Sequence, residues 1–453
     1  MSKQTKLNLF DFTMIVVSLV IGMGIFRTPV NVAKAVPTPF VFFAAWLAGG
    51  LIALCGALTY AEIGSRLPVT GAYYKIFSYC YHPSIAFAVN CIILISNAAS
   101  LAGVALIGAE YITRVLFPAV TESQTIEVVI AIISICIFYG VNLLGLKMSA
   151  RTQNVLTMIK IGMILLLIVP LFFAPHVNLP VKEHITAHTT LTEYLKAFGI
   201  GLVAVSFTYG GYQQTINFGA EVKQPNKMIP RGIFIGIFII ITLYLTINYA
   251  YYSVIGFDNL KAGKNIAAIM ASHVFGDAAG RILSVLLFLS VLAYVNVLLM
   301  SNPRVMFAMS EDGVLPGIFK KRNSKTDVLV ISLSIYAAIC VLIVFWAKQF
   351  DEILSFTIFL DCMGMALSAA SIFFLRKRNT QLDKSIEIYK MKWYPLFPIV
   401  FIAAYTFVGI SIFLDKPRTG LAGLGVLGAF IIIYFATGKH DLHGKEHYES
   451  NTN

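Results

Sequence analysis

Apolar residues in this chain come in blocks. Twelve of them, at 9–36, 40–65, 84–116, 126–145, 152–174, 194–220, 231–256, 280–302, 326–347, 351–375, 393–414 and 419–437, are separated by polar joints. Most exceed the roughly 20 residues that carry a helix across a hydrocarbon core. The pattern predicts an all-α membrane protein with twelve transmembrane helices in a single transmembrane unit. Spans 9 and 10 join at a tight polar turn holding Lys348 and Asp351, and spans 11 and 12 at Asp415-Lys416-Pro417-Arg418. The stretch after Thr437 is short and polar, and nothing is left over to build a soluble domain. Lys3 and Lys6 precede the first run, as in a signal peptide. However, Ala33-Lys34-Ala35 is a poor cleavage site and the apolar stretch before it is too long, so span 1 is read as an uncleaved helix.

Composition agrees. Apolar residues make up 58% of 453 positions and charged residues 12%, against about a quarter charged in soluble domains. The net charge of +12 does not point to nucleic acid, because no basic stripe is interleaved with stacking aromatics. Lys and Arg collect in the joints instead. With the N-terminus inside, 22 of the 34 fall on the cytoplasmic side and 10 outside, while Arg27 and Lys160 lie within spans. That bias predicts a cell-membrane protein with both termini cytoplasmic. The six cysteines form no C-x-x-C pair, so neither a zinc site nor a disulfide framework is indicated. His176, His184 and His188 lie in or beside joint 5–6; His-x3-His in a polar loop is weak evidence for a metal. No metal or cofactor is expected, and with no histidine inside a span no catalytic cluster is visible.

Two spans are interrupted. Span 1 contains Ile21-Gly22-Met23-Gly24-Ile25-Phe26 followed by Pro29, and span 6 contains Phe207-Thr208-Tyr209-Gly210-Gly211-Tyr212. Each mid-helix glycine weakens a helix by about 1 kcal/mol. Single glycines in membrane helices often only permit close packing. Breaks in the first helices of two successive five-helix halves point instead to an inverted-repeat transporter with its site at the midplane. Free N–H groups at a half-helix start bind a carboxylate. Free carbonyls at a half-helix end accept from an ammonium. The backbone alone thus suits an α-amino acid.

The chain resembles the amino acid–polyamine–organocation superfamily, and its L-type amino acid transporter branch most closely. The first break is similar to that family's G-[S/A]-G-I-F motif, and Phe207 through Tyr212 to its second break. Tyr60-Ala61-Glu62-Ile63-Gly64 with Pro68 and Gly71-Ala72-Tyr73 resembles the signature after helix 2. Glu221 through Pro225 with Ile229-Pro230-Arg231 resembles the segment after helix 6, and Arg304 through Pro316 the segment after helix 8. The resemblance implies two inverted five-helix repeats (1–174 and 194–376) plus two accessory helices (393–437). It implies a secondary active amino acid permease working by alternating access. Substrate would sit among Gly22, Met23, Gly24, Ile25, Phe207, Thr208, Tyr209 and Gly210, with Phe207 as an aromatic lid. Met23 departs from the small residue usual in the first break. Joint 3–4 holds no cysteine, so the disulfide-linked heavy subunit of animal members is not expected.

Three charges inside spans carry further expectations. Arg27 and Asp361 resemble the external gate of neurotransmitter–sodium symporters, which implies that they pair when the outer path closes. Lys160 lies roughly 12 Å into span 5 at 1.5 Å per residue, too deep for easy snorkelling. It resembles a helix 5 lysine of sodium-independent family members, whose ammonium stands where relatives bind sodium between helices 1 and 8. This implies hydrogen bonds to the backbone near Gly22 and transport without sodium, by proton symport or by exchange. Glu62 and Glu221 read as loop anchors, and Glu110 as an interfacial carboxylate. Neutral amino acids are the expected substrates, since no carboxylate lies near either break in sequence. Cationic amino acids or polyamines are the alternative, and a channel or membrane enzyme the different class.

Overall fold

The computed structural model describes residues 6–22, 24–118, 124–173, 190–262, 266–267, 270, 274, 276–346, 350–378, 388–415 and 417–436. Among them there is no β-strand, only two isolated bridges, Leu7 with Val222 and Thr70 with Phe218. The helices are α1 (Leu9–Val20), α2 (Gly24–Ala35), α3 (Pro39–Arg66), α4 (Ala72–Cys80), α5 (Pro83–Leu116), α6 (Gln124–Leu143), α7 (Leu146–Ile168), α8 (Leu191–Thr208), α9 (Pro225–Ile255), α10 (Phe257–Ala262), α11 (Asp277–Glu311), α12 (Val330–Trp346), α13 (Phe350–Arg378), α14 (Leu396–Asp415) and α15 (Pro417–Ala436). Among the described residues nine helical stretches are long and apolar enough to cross a membrane, counting α1 and α2 as one. The shorter apolar helices at 330–345 and 420–436 and the interrupted α8 complete the twelve expected spans.

Local chemistry explains where the helices start. Asn8 caps α1 in a capping box: its side chain accepts from the Asp11 N–H at 2.9 Å while Asp11 accepts from the Asn8 N–H at 3.3 Å. Thr38 and His82 cap α3 and α5, each followed by a proline, Pro39 or Pro83, in the first helical turn.

Several elements differ from the sequence reading. The polar joints hide α4 and α10, which are too short for a periodic signal. Span 5 begins at Leu146 rather than Thr152, placing Lys160 about 21 Å along the helix. Span 8 continues through Pro303 to Glu311, beyond the expected end at residue 302. The prolyl ring removes the donor to the Leu299 carbonyl, and side chains bond the carbonyls on either side of it. Asn302 Nδ2 donates to Leu298 O at 3.0 Å, and the Arg304 guanidinium donates to Met300 O.

The spans pair in a regular way. Span 2 (α3) packs on span 7 (α9), span 3 (α5) on span 8 (α11), and span 4 (α6) on span 9 (α12). Span 1 packs on span 7 as span 6 packs on span 2, and span 5 lies on span 8 as span 10 (α13) lies on span 3. Shifting every number by five maps one contact onto the other. Spans 11 and 12 (α14, α15) pack outside this set, on α13, α3 and α5.

The face that carries the N-terminus is stitched shut by polar contacts. Leu7 N–H donates to Glu221 O at 2.7 Å, and Lys223 N–H donates to Leu7 O at 3.0 Å. Glu62, with no exposed surface, accepts from Arg66 Nε at 2.8 Å, from Arg376 Nε and Nη2 at 2.8 and 2.6 Å, and from the Met391 N–H at 2.9 Å. Glu221 accepts from Arg304 Nε at 2.7 Å. Both acidic residues are therefore loop anchors, as their positions at helix ends suggested. Lys75 of α4 joins Asp312 at the end of α11. Glu110 pairs with Arg114 one turn on.

Candidate functional site

The two helix breaks meet at mid-depth. α1 ends at Val20, and Ile21 leaves helical geometry with ψ 89°. The chain resumes as α2 at Gly24, so the N–H groups of Gly24, Ile25 and Phe26 have no preceding helical turn to bond to. α8 ends at Thr208, Gly211 turns the chain at φ +112°, and Tyr212–Asn217 continue as a tight 3-10 turn. Only glycine fits at both crossing points. A Cβ on Gly211 would lie 2.3 Å from the Leu19 carbonyl oxygen, and one on Gly24 would lie 2.9 Å from Thr208 Cγ2. Thr208 Oγ1 donates to Thr28 Oγ1 at 2.7 Å, tying α8 to α2.

The open end of α1 is met by Lys160, whose side chain is fully buried. Its ammonium donates to Ser18 O at 3.5 Å, to Ser18 Oγ at 3.4 Å and to Ile21 O. Three donors meet three acceptors at the negative pole of a half-helix. The Tyr244 hydroxyl donates to Val20 O at 3.2 Å. The arrangement extends inward as a chain of buried amides. Gln153 Nε2 donates to Ser18 Oγ at 2.5 Å, Asn296 Nδ2 to Gln153 Oε1 at 2.7 Å, and Asn142 Nδ2 to Asn296 Oδ1 at 2.9 Å. Spans 1, 5, 8 and 4 are thereby joined through one polar chain. The signal for it in sequence was Gln153, Thr157 and Lys160 at spacings of four and three on one face of span 5.

Of the expected site residues, Gly22, Gly24, Thr208 and Gly210 lie at the junction. Ile25 and Tyr209 offer only backbone to it. Ile25 is buried, and the Tyr209 ring turns away to Trp46 and Tyr244, with centroids 6.0 and 5.1 Å off. Met23 and the side chain of Phe207 lie outside the described residues.

Arg27 and Asp361 are not brought together. Arg27 is exposed and lies within electrostatic reach of Tyr111, whereas the Asp361 carboxylate accepts from Ser96 Oγ at 3.4 Å. Ser96 and Tyr111 are fifteen residues apart on α5, about 22 Å along its axis. Asp361 is instead near the first break. A Cβ on Gly22 would touch the Tyr294 ring at 4.0 Å, Tyr294 shares a 3.0 Å hydrogen bond with Ser100, and Ser100 lies one turn of α5 from Ser96, the partner of Asp361. A carboxylate thus reaches the junction from span 10, which linear distance from the breaks concealed. Gly22, Ser100, Gly210, Tyr294 and Asp361 are only half-buried. Asn97, Gln214, Asn302 and Ser368, deeper towards the N-terminal face, are buried. A separate cleft of about 420 Å3, lined by Lys227, Arg231, Phe234 and Tyr389 among others, lies at the start of α9, away from both breaks.

Twelve apolar spans around two facing helix breaks, with free backbone groups between them, define a polytopic membrane transporter. The chain belongs to the amino acid permease family of the amino acid–polyamine–organocation superfamily, whose model matches residues 7–436. It is 29% identical over 436 residues to the serine/threonine exchanger SteT of Bacillus subtilis strain 168, covering 94% of this chain and 95% of that one. It is 24% identical to the human large neutral amino acids transporter small subunit 2 (93% and 78% covered) and 25% identical to the human cystine/glutamate transporter (92% and 82%). These relatives fit the L-type branch, and the protein is a multi-pass permease, not an enzyme.

Proposed function

We propose that this permease carries neutral amino acids by alternating access without sodium, with both termini cytoplasmic. The observation that carries the reading is the Lys160 ammonium on the Ser18 and Ile21 oxygens. A fixed cation occupies the carbonyl end of α1, between spans 1 and 5, so no soluble cation is needed to hold the broken helix. Substrate carboxylate binds the free N–H groups at the start of α2, and its ammonium binds the carbonyls left open at the end of α8. Phe207 closes over it from outside. Spans 1–5 and 6–10 act as two inverted halves, in line with the shift-by-five packing. Two relatives are named for neutral substrates, serine/threonine and large neutral amino acids, which supports the neutral class. The missing cysteine in joint 3–4 supports a chain that works without a disulfide-linked heavy subunit. Coupling is by exchange or by proton symport, in which Lys160 releases a proton during the cycle.

The test is uptake of a labelled amino acid panel into proteoliposomes, with sodium replaced by choline, with and without a pH gradient, and with and without internal amino acid. Sodium-free uptake of neutral substrates is the expected result. An absolute sodium requirement overturns the reading of Lys160.

A further inference from the structure

The cleft at the start of α9 lies apart from both breaks, and amino acid transport leaves it without a role. Its volume is about 420 Å3, and Lys227, Arg231 and Phe234 of α9 line it together with Ile388 and Tyr389 of the segment leading into span 11. That volume falls in the range of small-ligand sites, roughly 300–1,000 Å3. Ser65, at the end of α3, holds the two walls together. Its hydroxyl accepts from the Tyr389 N–H at 3.0 Å and donates to Asn226 O at 3.4 Å.

The sequence of α9 sets the depth of the cleft. No charged residue follows Arg231 before Asp258, a run longer than the roughly 20 residues that cross hydrocarbon. Arg231 therefore stands where the headgroup layer meets the apolar core. Gly232 and Gly236 pack on Phe12 and Val16 of α1, which turns the neighbouring face of α9 outward. Lys227, Arg231, Phe234 and Phe238 follow one another at spacings of four, three and four, so they share one stripe of the helix, and all four are exposed. The stripe is cationic at the membrane boundary and aromatic above it. A phospholipid presents phosphate and hydrocarbon in the same order.

Charge selects among phospholipids. Among the described residues no carboxylate lines the cleft. Two acids of the same face are engaged elsewhere, Glu221 with Arg304 and Glu62 with Arg66 and Arg376. A headgroup phosphate meets two cationic side chains, and the planar Arg231 guanidinium can bind two of its oxygens at once. The ammonium of a choline or ethanolamine headgroup meets no anion there. The cleft is matched to a headgroup that is negative overall.

We propose that this cleft binds the headgroup phosphate of an anionic phospholipid from the leaflet on the N-terminal side, with an acyl chain lying along Phe234 and Phe238. Basic pockets between transmembrane helices are suited to such headgroups. The bound lipid bridges span 7 and the segment leading into span 11.

The test uses the full-length protein, purified in detergent and stripped of co-purified lipid. The probes are phosphatidylglycerol, phosphatidylcholine with the same acyl chains, and glycerol phosphate, with binding read by native mass spectrometry. Phosphatidylglycerol is expected to bind at least about tenfold more tightly than phosphatidylcholine, the scale of two cationic contacts at a membrane surface. In the double variant Lys227→Gln, Arg231→Gln that preference falls below about threefold, since both contacts are gone. Lys320→Gln with Lys321→Gln removes the same charge from exposed positions of the same face and leaves the preference intact. Wild type without a preference overturns the proposal. An equal loss in both double variants also overturns it, because the attraction is then diffuse. Glycerol phosphate that displaces phosphatidylglycerol at equal concentration overturns the lipid assignment and leaves a site for a soluble anion. A phosphatidylglycerol with a photoreactive acyl chain gives a readout in wild type that does not depend on how the variants fold. Its crosslinks are expected within residues 230–245, and crosslinks confined to other spans overturn the proposal.

Discussion

The Lys160 side chain spans from α7 to the broken end of α1, where its ammonium donates to the carbonyl of Ile21. Ile21 is the first residue past the helix, so its carbonyl and that of Ser18 belong to the last turn, whose oxygens have no helical donor. The lysine satisfies them from outside the helix. The contact fixes where span 1 stops, and it shares Ser18 Oγ with Gln153.

Lys160→Ala removes that donor and leaves two buried carbonyls unsatisfied, at a cost of about 1–3 kcal/mol for each. Initial uptake rates in proteoliposomes are expected to fall by more than about tenfold, while the protein still purifies as a monodisperse species. Retained uptake together with a new sodium dependence is the sharpest positive outcome, because sodium would then take the vacated place. Wild-type rates in Lys160→Ala without sodium would remove the lysine from the mechanism.

Gly211→Ala tests the second break as a backbone device. At φ +112° an alanine is strained, by about 1–3 kcal/mol, and its Cβ would meet the Leu19 carbonyl oxygen 2.3 Å away. The two breaks would be pushed apart. Thermal unfolding followed by tryptophan fluorescence in detergent should show a clear drop in midpoint, with uptake lost. An unchanged midpoint and rate would mean that the crossing of α1 and the second break is looser than its geometry indicates.

Glu62 draws together Arg66, Arg376 and the Met391 N–H. It joins the end of span 2 to span 10 and to the segment leading into span 11. Glu62→Gln keeps the shape and removes the charge, leaving two guanidinium groups against a neutral amide. Breaking a buried ion pair from one side costs about 3–5 kcal/mol. The expected result is reduced stability, read as a lower thermal midpoint, with the substrate affinity of the surviving protein little changed. A large change in affinity with no loss of stability would show that Glu62 does more than anchor.

The spans were legible because hydrocarbon imposes one rule along the whole chain: a helix long enough to cross must be apolar throughout. Glycine pairs marked both breaks for a related reason, since only glycine allows the approaches at Gly24 and Gly211. Lys160 was legible as a lone charge that needed acceptors. What stayed hidden depended on distance in space rather than in sequence. Asp361 is more than 300 positions from Gly22, and nothing in its own helix says that its partner Ser96 lies one turn from Ser100, which bonds the Tyr294 that packs on Gly22. Arg27 and Asp361 each stand out as an isolated charge within a span, but their pairing is expected only when the outer path closes. The amide chain from Gln153 to Asn142 is scattered over three spans, and each member alone resembles an ordinary polar residue in a packed helix.

The Thr28–Thr208 contact makes a prediction about motion. Their Oγ atoms are 2.7 Å apart, and they join the outer half of span 1 to the last turn of α8 across the junction. With Gly24 pressed on the same threonine, α2 and α8 have the contacts of one rigid body. Alternating access by rocking of one bundle against another should therefore carry the two helices together. Thr28→Cys with Thr208→Cys places two thiols within reach of a disulfide, in a background from which the six native free cysteines have been removed. Oxidation is expected to leave exchange rates within about twofold of the reduced protein. If closing the disulfide stops transport and reduction restores it, α2 and α8 must part during the cycle, and the rigid unit is wrong.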